Sequence, residues 1–436
     1  MSKKAYVLLG LVLFCSACAA PSLRYKTEVN RLAAAGKFEE AEKHIVSKQN
    51  KMYAKKDVHL AQLDRAALLQ DGYKSAESDR LLSFAQDRIE DLYTKSISAN
   101  AATLFINDLT TPYYVADYEK AFTFFYRAMN FLDRKDVISA AVEARKAVFF
   151  LDNLRGSKHK GYNDDPFIQY FSSLVFESVG QLSDARISRT NALNAYKKVG
   201  NELQVTTPDF TVPANAGELG EVIIFHYNGL LPLKKTQTVQ LAWHKAMSIA
   251  SSPVETRSQV APEVQNALVA GVMGSAITIS FPSLERQHYH VQNSVAVVNG
   301  QQFPLIRVAN LAALAQQDLK DNMPAIWFRT VTRAVVKQIA AVQARHAATK
   351  ASNDDVGYLA SMLVSALGAA TEKADTRQWF TLPAEIQMTR LFVPAGKQDV
   401  QLFLKDKNGN IIGNKTFEDV TIPRGGRVYL HYRSAY

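Results

Sequence analysis

Cysteine is almost absent from this sequence, because Cys15 and Cys18 are the only two among 436 residues. Both lie near the N-terminus, so the chain after residue 18 carries no thiol. That excludes a cysteine nucleophile, a thiolate metal site and a disulfide framework from the body of the protein. The fold must therefore depend on noncovalent contacts.

Long apolar runs are missing too. Residues 267–281 come closest, but they fall short of the roughly 20 apolar residues that span a bilayer, and their β-branched end, residues 276–281, is typical of a buried strand. The sequence has no G-x-S-x-G elbow, no S-x-x-K with its partner motifs, no P-loop, no G-x-G-x-x-G and no H-E-x-x-H. We therefore expect no enzyme activity, no catalytic residue, no metal and no cofactor.

The N-terminus has the order of a signal sequence. A basic start and an apolar run over residues 5–14 precede Cys15-Ser16-Ala17-Cys18. Small residues before a cysteine suit lipoprotein signal peptidase, so we predict a signal peptide over residues 1–17 and lipid attachment at Cys18. Cys15 stands where this motif usually has leucine. An ordinary secretory signal cut within Ala17-Cys18-Ala19 is the alternative.

The residue after Cys18 is alanine rather than aspartate, which favours sorting to the outer membrane with the body facing the periplasm. The chain has a net charge of +10, but an exported protein is not expected to bind nucleic acid. Its basic residues are scattered, which fits a solvated surface. Anionic lipid headgroups, glycans or an acidic partner protein are the alternatives.

Residues 18–200 are predicted to be helical, because apolar residues recur there at spacings of three and four. A turn residue, a large residue two positions later and an alanine three positions after that form a recurring pattern. It reads Gly36-Phe38-Ala41, Asp71-Tyr73-Ala76, Lys135-Val137-Ala140 and Gly180-Leu182-Ala185. The pattern predicts an array like that of tetratricopeptide repeats (TPR-like), and generic helical hairpins are the alternative.

Aromatic residues crowd positions 113–150. Most are expected in the core, but stacked repeats also form a groove that binds peptides. Tyr113 and Tyr114 follow Pro112 in a predicted loop, so we expect them to be the exposed members. The candidate partner-binding residues in the groove are Tyr113, Tyr114 and Tyr118.

The segment Asp375-Thr376-Arg377-Gln378-Trp379 joins the second predicted helical block to the last strands. Asp375 and Arg377 can form an ion pair that fixes this junction, with Trp379 buried. A ligand-binding role for Arg377 is the alternative, which makes Arg377 the fourth candidate partner-binding residue.

Prolines and glycines mark a linker over residues 201–218. An α+β domain is predicted over residues 219–436, with strands on both sides of a helical block at 308–373. We expect the two β stretches to meet in one sheet or sandwich around that block. Asn299-Gly300 and Asn408-Gly409 predict hairpin turns, and Pro324 suits the first turn of a helix. The predicted fold class is therefore α+β, with an all-α TPR-like array at the N-terminus.

Two short motifs could hold a ligand. His288-x-His290 would place two zinc ligands on one face of a strand, but no third ligand motif lies near, so a polar pair at a strand edge is favoured. Gly425-Gly426, between Arg424 and Arg427, could bind an anion through backbone N–H groups. A hairpin turn between two strands is the commoner reason for two adjacent glycines.

Several short segments, in this order along the chain, resemble a family of uncharacterised bacterial outer-membrane lipoproteins with TPR-like N-terminal halves. They are Asn107-Asp108, Tyr113, Tyr118-Glu119-Lys120, Ala128-Met129-Asn130, Val142-Glu143-Ala144-Arg145, Gly217-Glu218, Asn228-Gly229, Asp375–Trp379, Leu382-Pro383-Ala384 and Pro394-Ala395-Gly396. The resemblance covers nearly all of the chain after the signal. It implies an exported, lipid-anchored envelope protein and supplies no catalytic residues.

From these observations we expect a protein-binding scaffold or accessory factor in envelope assembly or cell-wall maintenance. The membrane would be reached through the N-terminal lipid, and a protein partner would bind in the groove of the helical array. Two alternatives remain open: an envelope glycan-acting enzyme such as a peptidoglycan hydrolase, and an oligomeric structural lipoprotein.

Overall fold

Four helical hairpins begin the fold. A computed structural model describes residues 22–96, 109, 111–156, 164–250, 276–351 and 373–436. The hairpins pair α1 (Leu23–Ala34) with α2 (Phe38–Met52), α3 (Val58–Asp71) with α4 (Ser75–Ser96), α5 (Asp117–Asp133) with α6 (Val137–Gly156), and α7 (Pro166–Ser178) with α8 (Leu182–Leu203). A 3-10 turn, Lys55–Asp57, precedes α3.

The same turn closes all four hairpins. Its central residue has a positive φ and is Gly36, Tyr73, Lys135 or Gly180. In each case the next residue donates its N–H to the carbonyl five positions earlier: Lys37 to Leu32, Lys74 to Leu69, Asp136 to Phe131 and Gln181 to Phe176. These bonds are those of a Schellman helix ending, which satisfies carbonyls that the helix leaves free.

The recurring sequence pattern therefore marks real turns, with one correction. In the second hairpin the turn residue is Tyr73 rather than Asp71. The buried small residue is consequently Ser78, whereas Ala76 is exposed. Ala41, Ala140 and Ala185 occupy the equivalent buried position in the other hairpins, where a small side chain allows close approach of the paired helices.

Each helix of the array packs against the next one, and α5 also contacts both α3 and α7. The first helices of the second, third and fourth hairpins therefore form one layer. We name the side of this layer that faces the strands the inner face.

The strands of the described residues form two sheets and a ribbon. In chain order the elements are β1 (Leu219–Asn228), β2 (Leu233–Ala242), α9 (Trp243–Ala250), β3 (Ala276–Glu285), β4 (Asn293–Val298), β5 (Gln301–Pro304), β6 (Ile306–Asn310), α10 (Leu311–Ala351), β7 (Glu385–Pro394), β8 (Gly396–Lys405), β9 (Ile411–Ile422) and β10 (Arg427–Ser434). The central sheet has the order β10-β1-β7-β6, the outer sheet β5-β4-β8-β9, and the ribbon is β2-β3. β10 runs parallel to β1, and the other pairs are antiparallel.

Strand β1 explains the layering, because both of its faces are buried. Successive side chains of a strand point to opposite faces. Phe225 and Tyr227 pack with the N-terminal helices in one core. Val222 and Ile224 pack with the outer sheet in a second core. The result is three layers, namely helices, central sheet and outer sheet.

The prediction of a sandwich around the 308–373 block is wrong in one respect. The two β stretches do share the central sheet, but the inner face of the N-terminal hairpins covers one side of that sheet. The far half of α10 packs instead against the ribbon and α9, through Val331 and Val335. An apolar strand sequence shows that both faces are buried without showing which element covers each face.

The predicted Asn-Gly turns agree with the structure, whereas the predicted start of a helix at Pro324 does not. The Asn299-Gly300 turn is confirmed, with positive φ at both residues, and Gly409 has positive φ between β8 and β9. The predicted helix start at Pro324 is wrong, because Pro324 lies inside the 41-residue α10. There it removes one backbone hydrogen bond.

Candidate functional site

The predicted exposure of Tyr113 is wrong, and Tyr118 is buried as well. The backbone N–H of Tyr113 donates to Asp57 Oδ1 at 2.7 Å, and its hydroxyl donates to Glu119 Oε2 at 2.6 Å. These bonds hold Tyr113 in the core, although the preceding proline had indicated an exposed loop. Tyr114 is the exposed member of the pair, at 45%.

Arg377 is the centre of a buried ion-pair cluster. Its Nη1 lies 3.0 Å from both carboxylate oxygens of Asp57 and also donates to the Thr111 carbonyl. Its Nη2 lies 2.7 Å from Asp375 Oδ2, which confirms the predicted ion pair. Burial alone would lower the pKa of Arg377, but the two carboxylates raise it above its usual value. The guanidinium is fully engaged within the chain.

Residues 375–382 cross the inner face of the helical array, and we name them the crossing segment. Lys26 of α1 donates to the Thr376 carbonyl, and Glu119 of α5 accepts the Trp379 N–H at 2.9 Å. Thr381 donates through its hydroxyl to the Asp64 carbonyl of α3 at 3.1 Å. Trp379 is fully buried, as predicted. The groove in which we expected a partner therefore holds the chain's own segment.

Burial shifts two ionisable groups beneath the crossing segment toward neutrality. It raises the pKa of Asp64 to about 8 and lowers the pKa of Lys26 to about 7. Asp64 also accepts the Tyr53 hydroxyl at 2.8 Å. Both groups are fully buried in the contact between the array and the crossing segment, so they hold the two together.

An open cleft of about 1450 Å3 lies elsewhere, between the ribbon, the first half of α10 and the edge strand β6. One part of its wall is apolar. Phe281 of β3 and Trp327 of α10 lie with ring centroids 4.9 Å apart, and Leu319, Met323 and Phe328 continue this wall. Glutamine amides supply the polar part: Gln204, Gln237, Gln287, Gln292, Gln316 and Gln317.

Charged and phenolic groups stand at the end of the cleft nearest the central sheet. Arg307 of β6 forms an ion pair with the buried Glu385 of β7. Burial, and next the charge of Glu385, raise the pKa of Tyr289 to about 12. Gly229 lets Tyr289 approach, because its φ is +68° and a Cβ would lie 2.5 Å from the ring. A ligand in the cleft would therefore meet a fixed ion pair and a neutral phenol.

A ring of polar side chains at hydrogen-bond distances supports Glu385 from behind. It joins His226, Ser294, Gln387, Glu385, Asn228 and Ser434. All six side chains are buried, and they come from β1, β4, β7 and β10. A neutral His226 donates to only one of the two serines, so the other serine donates its hydroxyl proton to the imidazole instead of to an amide carbonyl. Asn228 and Gln387 each donate to Glu385 in either case, and these two hydrogen bonds position the carboxylate at the cleft.

Within this ring His226 carries a testable pH dependence. Burial, and then the charge of Arg433, lower its pKa to about 3, so the folded imidazole is neutral. Between an unfolded value of about 6.5 and the folded value, only the unfolded chain takes up the proton. The stability contribution is therefore present above pH 6.5 and is lost as pH falls through this window.

We expect His226→Gln to remove this contribution. The free energy of unfolding of the wild type should fall faster between pH 6.5 and 5, by about 1.4 kcal/mol per pH unit at most, than that of the variant. Denaturant titrations at several pH values measure both slopes. Equal slopes for the two proteins would show that folding leaves the pKa of the imidazole unchanged, and a slower fall for the wild type would show that folding raises it.

The remaining predicted ligands do not form a site. His288 and His290 lie in the loop after β3 rather than on a strand, and both are exposed. Among the described residues, no three His, Cys, Asp or Glu side chains are arranged to hold a metal. Cys18 lies outside the described residues. None of the helices within the described ranges has the length and hydropathy of a membrane span.

Comparison of the chain with protein-family models, curated proteins and solved structures finds no match. The resemblance to outer-membrane lipoproteins therefore stays a prediction. Several of its marker residues, among them Tyr113, Glu119, Asn130 and Arg377, are buried hydrogen-bonding residues. These side chains hold elements of the fold together.

Sequence reasoning missed the cleft. Its lining comes from residues 202–204, 230–237, 249, 281–292, 307–328 and 384–385, which are distant in sequence. The one local signal in the sequence is the large aromatic side chain of Trp327. The structure leaves this residue only half-buried on α10.

Proposed function

We propose that this chain is a lipid-anchored binding protein of the bacterial outer membrane, facing the periplasm. It would act as a scaffold or accessory factor in envelope assembly or cell-wall maintenance. The support for the anchor is the signal-like N-terminus and Cys18. The support for binding is the open cleft beside α10. We propose further that the four hairpins are TPR-like, on the evidence of their identical turns and their stacked first helices.

The single observation that carries the binding proposal is the contrast between two surfaces. The inner face of the array is filled by the crossing segment and by β1, through contacts that bury Trp379 and Phe225. The cleft is large, open and lined by aromatic rings beside amides. We therefore propose that a partner binds in the cleft rather than in the groove of the repeats.

An extended polypeptide segment fits this lining best. Its apolar side chains would pack on Phe281 and Trp327, and its backbone amides would pair with the glutamines. Burial of apolar surface would provide most of the binding energy, and a few fixed polar groups would provide the orientation. Arg307 and Glu385 offer one such fixed pair.

A bulky side chain in the cleft tests this assignment. Gln316 is exposed on α10 and lines the cleft, so Gln316→Trp should block binding without removing a core contact. Gln302→Trp, at an exposed position of β5, is the matched control. In affinity purification from solubilised envelopes, we expect the amount of partner recovered with Gln316→Trp to be at least about tenfold lower than with the wild type. Equal recovery with both variants would refute the cleft as the binding site.

The anchor has its own test. The intact mass of the membrane-extracted protein should correspond to loss of residues 1–17 plus acyl chains, and the acyl mass should vanish in Cys18→Ala. An unacylated mature mass in the wild type would indicate the secretory alternative.

The aromatic pair and the amides also favour a glycan as a second candidate ligand, because sugar rings stack on aromatic faces and their hydroxyls pair with amides. Glu202 and Glu385 both line the cleft. A glycosidase needs two carboxylates that act on the bond, whereas Glu385 is held by Arg307, Asn228 and Gln387. Co-sedimentation of the wild type, but not of Gln316→Trp, with isolated cell-wall sacculi would favour the glycan.

A further inference from the structure

A second cavity, of about 500 Å3, lies at the other end of β1 from the cleft. We name it the arginine pocket, because its lining includes Arg186 and Arg189 of α8, Arg390 of β7 and Arg427 of β10. Its acidic lining residues, within the described chain, are Glu177 at the end of α7 and Glu221 near the start of β1.

Ion pairs among these side chains use both carboxylates fully. Glu221 lies 2.5 Å from Arg390 Nε and 2.7 Å from Arg427 Nη2. Glu177 lies 2.7 Å from Arg427 Nη2 and 3.4 Å from Arg390 Nη2, and it also pairs with Arg189. Each carboxylate is thus shared between arginines.

The charges in the lining do not balance. Among the described residues that line the pocket, four guanidinium groups face two carboxylates, which leaves a surplus of two positive charges within the lining. Asp209 lies outside the lining, although its carboxylate interacts with the charge of Arg390. The pKa of Arg189 is lowered, first by burial and then by the positive charges of Arg390 and Arg427. Arginine remains charged under all ordinary conditions, so the surplus cannot be relieved by loss of a proton.

Buried N–H groups in the same lining also lack acceptors. Arg189 Nε, Arg390 Nη1 and Arg427 Nε are buried and make no hydrogen bond of good geometry, although the hydroxyls of Tyr170 and Tyr429 lie beside Arg390 and Arg427. A buried donor that is left unsatisfied destabilises the folded chain. An anion in the pocket would supply the missing charge, and rotation of the guanidinium groups would turn these buried N–H groups toward it.

The Gly425-Gly426 turn forms part of the lining, but its backbone does not provide the anion site. Gly425 N–H donates to the Leu219 carbonyl and Gly426 N–H donates to the Pro423 carbonyl. The turn therefore positions Arg427 at the start of β10, and the guanidinium side chains face the cavity.

We propose that the arginine pocket binds a phosphate monoester. The surplus of two charges matches a dianion, and guanidinium groups pair with phosphate through two parallel hydrogen bonds. The volume lies within the range of small-molecule sites, about 300–1,000 Å3, and exceeds what a bare phosphate needs. Leu182 and Val212 are exposed apolar residues in the lining, so an organic group attached to the phosphate would lie against them. This site is separate from the cleft, and the proposal does not depend on the proposed function.

Thermal unfolding of the full-length chain in detergent tests the proposal, with inorganic phosphate and phenyl phosphate as probes at constant ionic strength. We expect a saturable rise in Tm that sodium chloride does not reproduce. Arg186→Gln should weaken the apparent affinity at least tenfold, because Arg186 is exposed and its loss leaves the buried ion pairs intact. Arg424→Gln, an exposed arginine in the same turn as Gly425 but outside the lining, is the matched control.

Glu177→Gln gives an expectation of opposite sign. Removal of one carboxylate raises the surplus charge to three, so this variant should bind phosphate more tightly than the wild type, which a misfolded variant could not do. An identical phosphate response in wild type, Arg186→Gln and Glu177→Gln would overturn the proposal, as would no response at all to phosphate or phenyl phosphate.

The source of the phosphate is a further arm of the experiment. Flotation with vesicles of phosphatidylcholine plus phosphatidic acid, compared with phosphatidylcholine alone, detects binding of a lipid headgroup. Arginine-dependent flotation that phenyl phosphate competes away would assign the site to a lipid phosphate. Arginine-dependent response to the soluble probes without flotation would assign it to a soluble phosphate ester.

Discussion

Replacement of Arg377 by methionine is expected to lower the free energy of unfolding by about 3–5 kcal/mol. The change would remove the ion-pair partner that Asp57 and Asp375 share, and Asp57 is as deeply buried as Arg377. Breaking a buried ion pair by removing one partner costs about this much, because an uncompensated charge stays in the interior. Denaturant titration of the full-length chain measures the loss.

Two comparison variants separate this effect from simple charge removal. Arg31→Met, on the exposed side of α1, breaks only a surface contact with Glu28 and should cost well under 1 kcal/mol. Asp57→Asn combined with Arg377→Met should recover part of the loss, since one stranded charge is gone. A cost for Arg377→Met no larger than that of Arg31→Met would show that the crossing segment is not held by this cluster.

Replacement of Phe225 by alanine is expected to cost about 3–5 kcal/mol as well, and to destabilise the helices and the central sheet together. The Phe225 ring lies 5.9 Å, between centroids, from Phe125 of α5 and from Phe167 and Phe171 of α7. All four rings belong to one core. Loss of the ring would leave a cavity between layers that are built from distant parts of the sequence.

Far-UV circular dichroism and hydrogen exchange at β1 follow the helices and the sheet separately. Both probes should give one shared midpoint that shifts by the same amount in Phe225→Ala. Phe149→Ala, at an exposed position of α6, is the control and should shift neither probe. Two separate midpoints, with only the strand transition moved, would mean that the helical array and the sheet unfold independently.

Local features of this fold could be predicted from the sequence. The turn at Asn299-Gly300 needs positive φ at both residues, and that requirement is written in the residues themselves. The hairpin turns at Gly36 and Gly180 were readable for the same reason. The turn at Tyr73 was misplaced by two residues, because a tyrosine rarely adopts positive φ and Asp71 looked like the better turn residue.

Long-range features could not be predicted in the same way. Tyr113 follows a proline in a loop, yet Asp57, 56 residues earlier, binds its backbone N–H and buries it. The cleft combines Phe281, Trp327 and Glu385 from three separate segments, and no spacing in the sequence relates them. The arginine pocket likewise joins residues of α7, α8, β1, β7 and β10. Of this pocket, the sequence indicated only the Gly-Gly turn and the adjacent Arg427.

The most direct test of the proposed binding function is site-specific photo-crosslinking in intact cells. A photoreactive amino acid replaces Lys320, an exposed residue that lines the cleft, and for comparison Gln302, an exposed residue of β5. The proposal predicts one reproducible crosslinked envelope component from position 320 and none from position 302. No crosslink from position 320, or the same crosslinks from both positions, would contradict a binding site in the cleft.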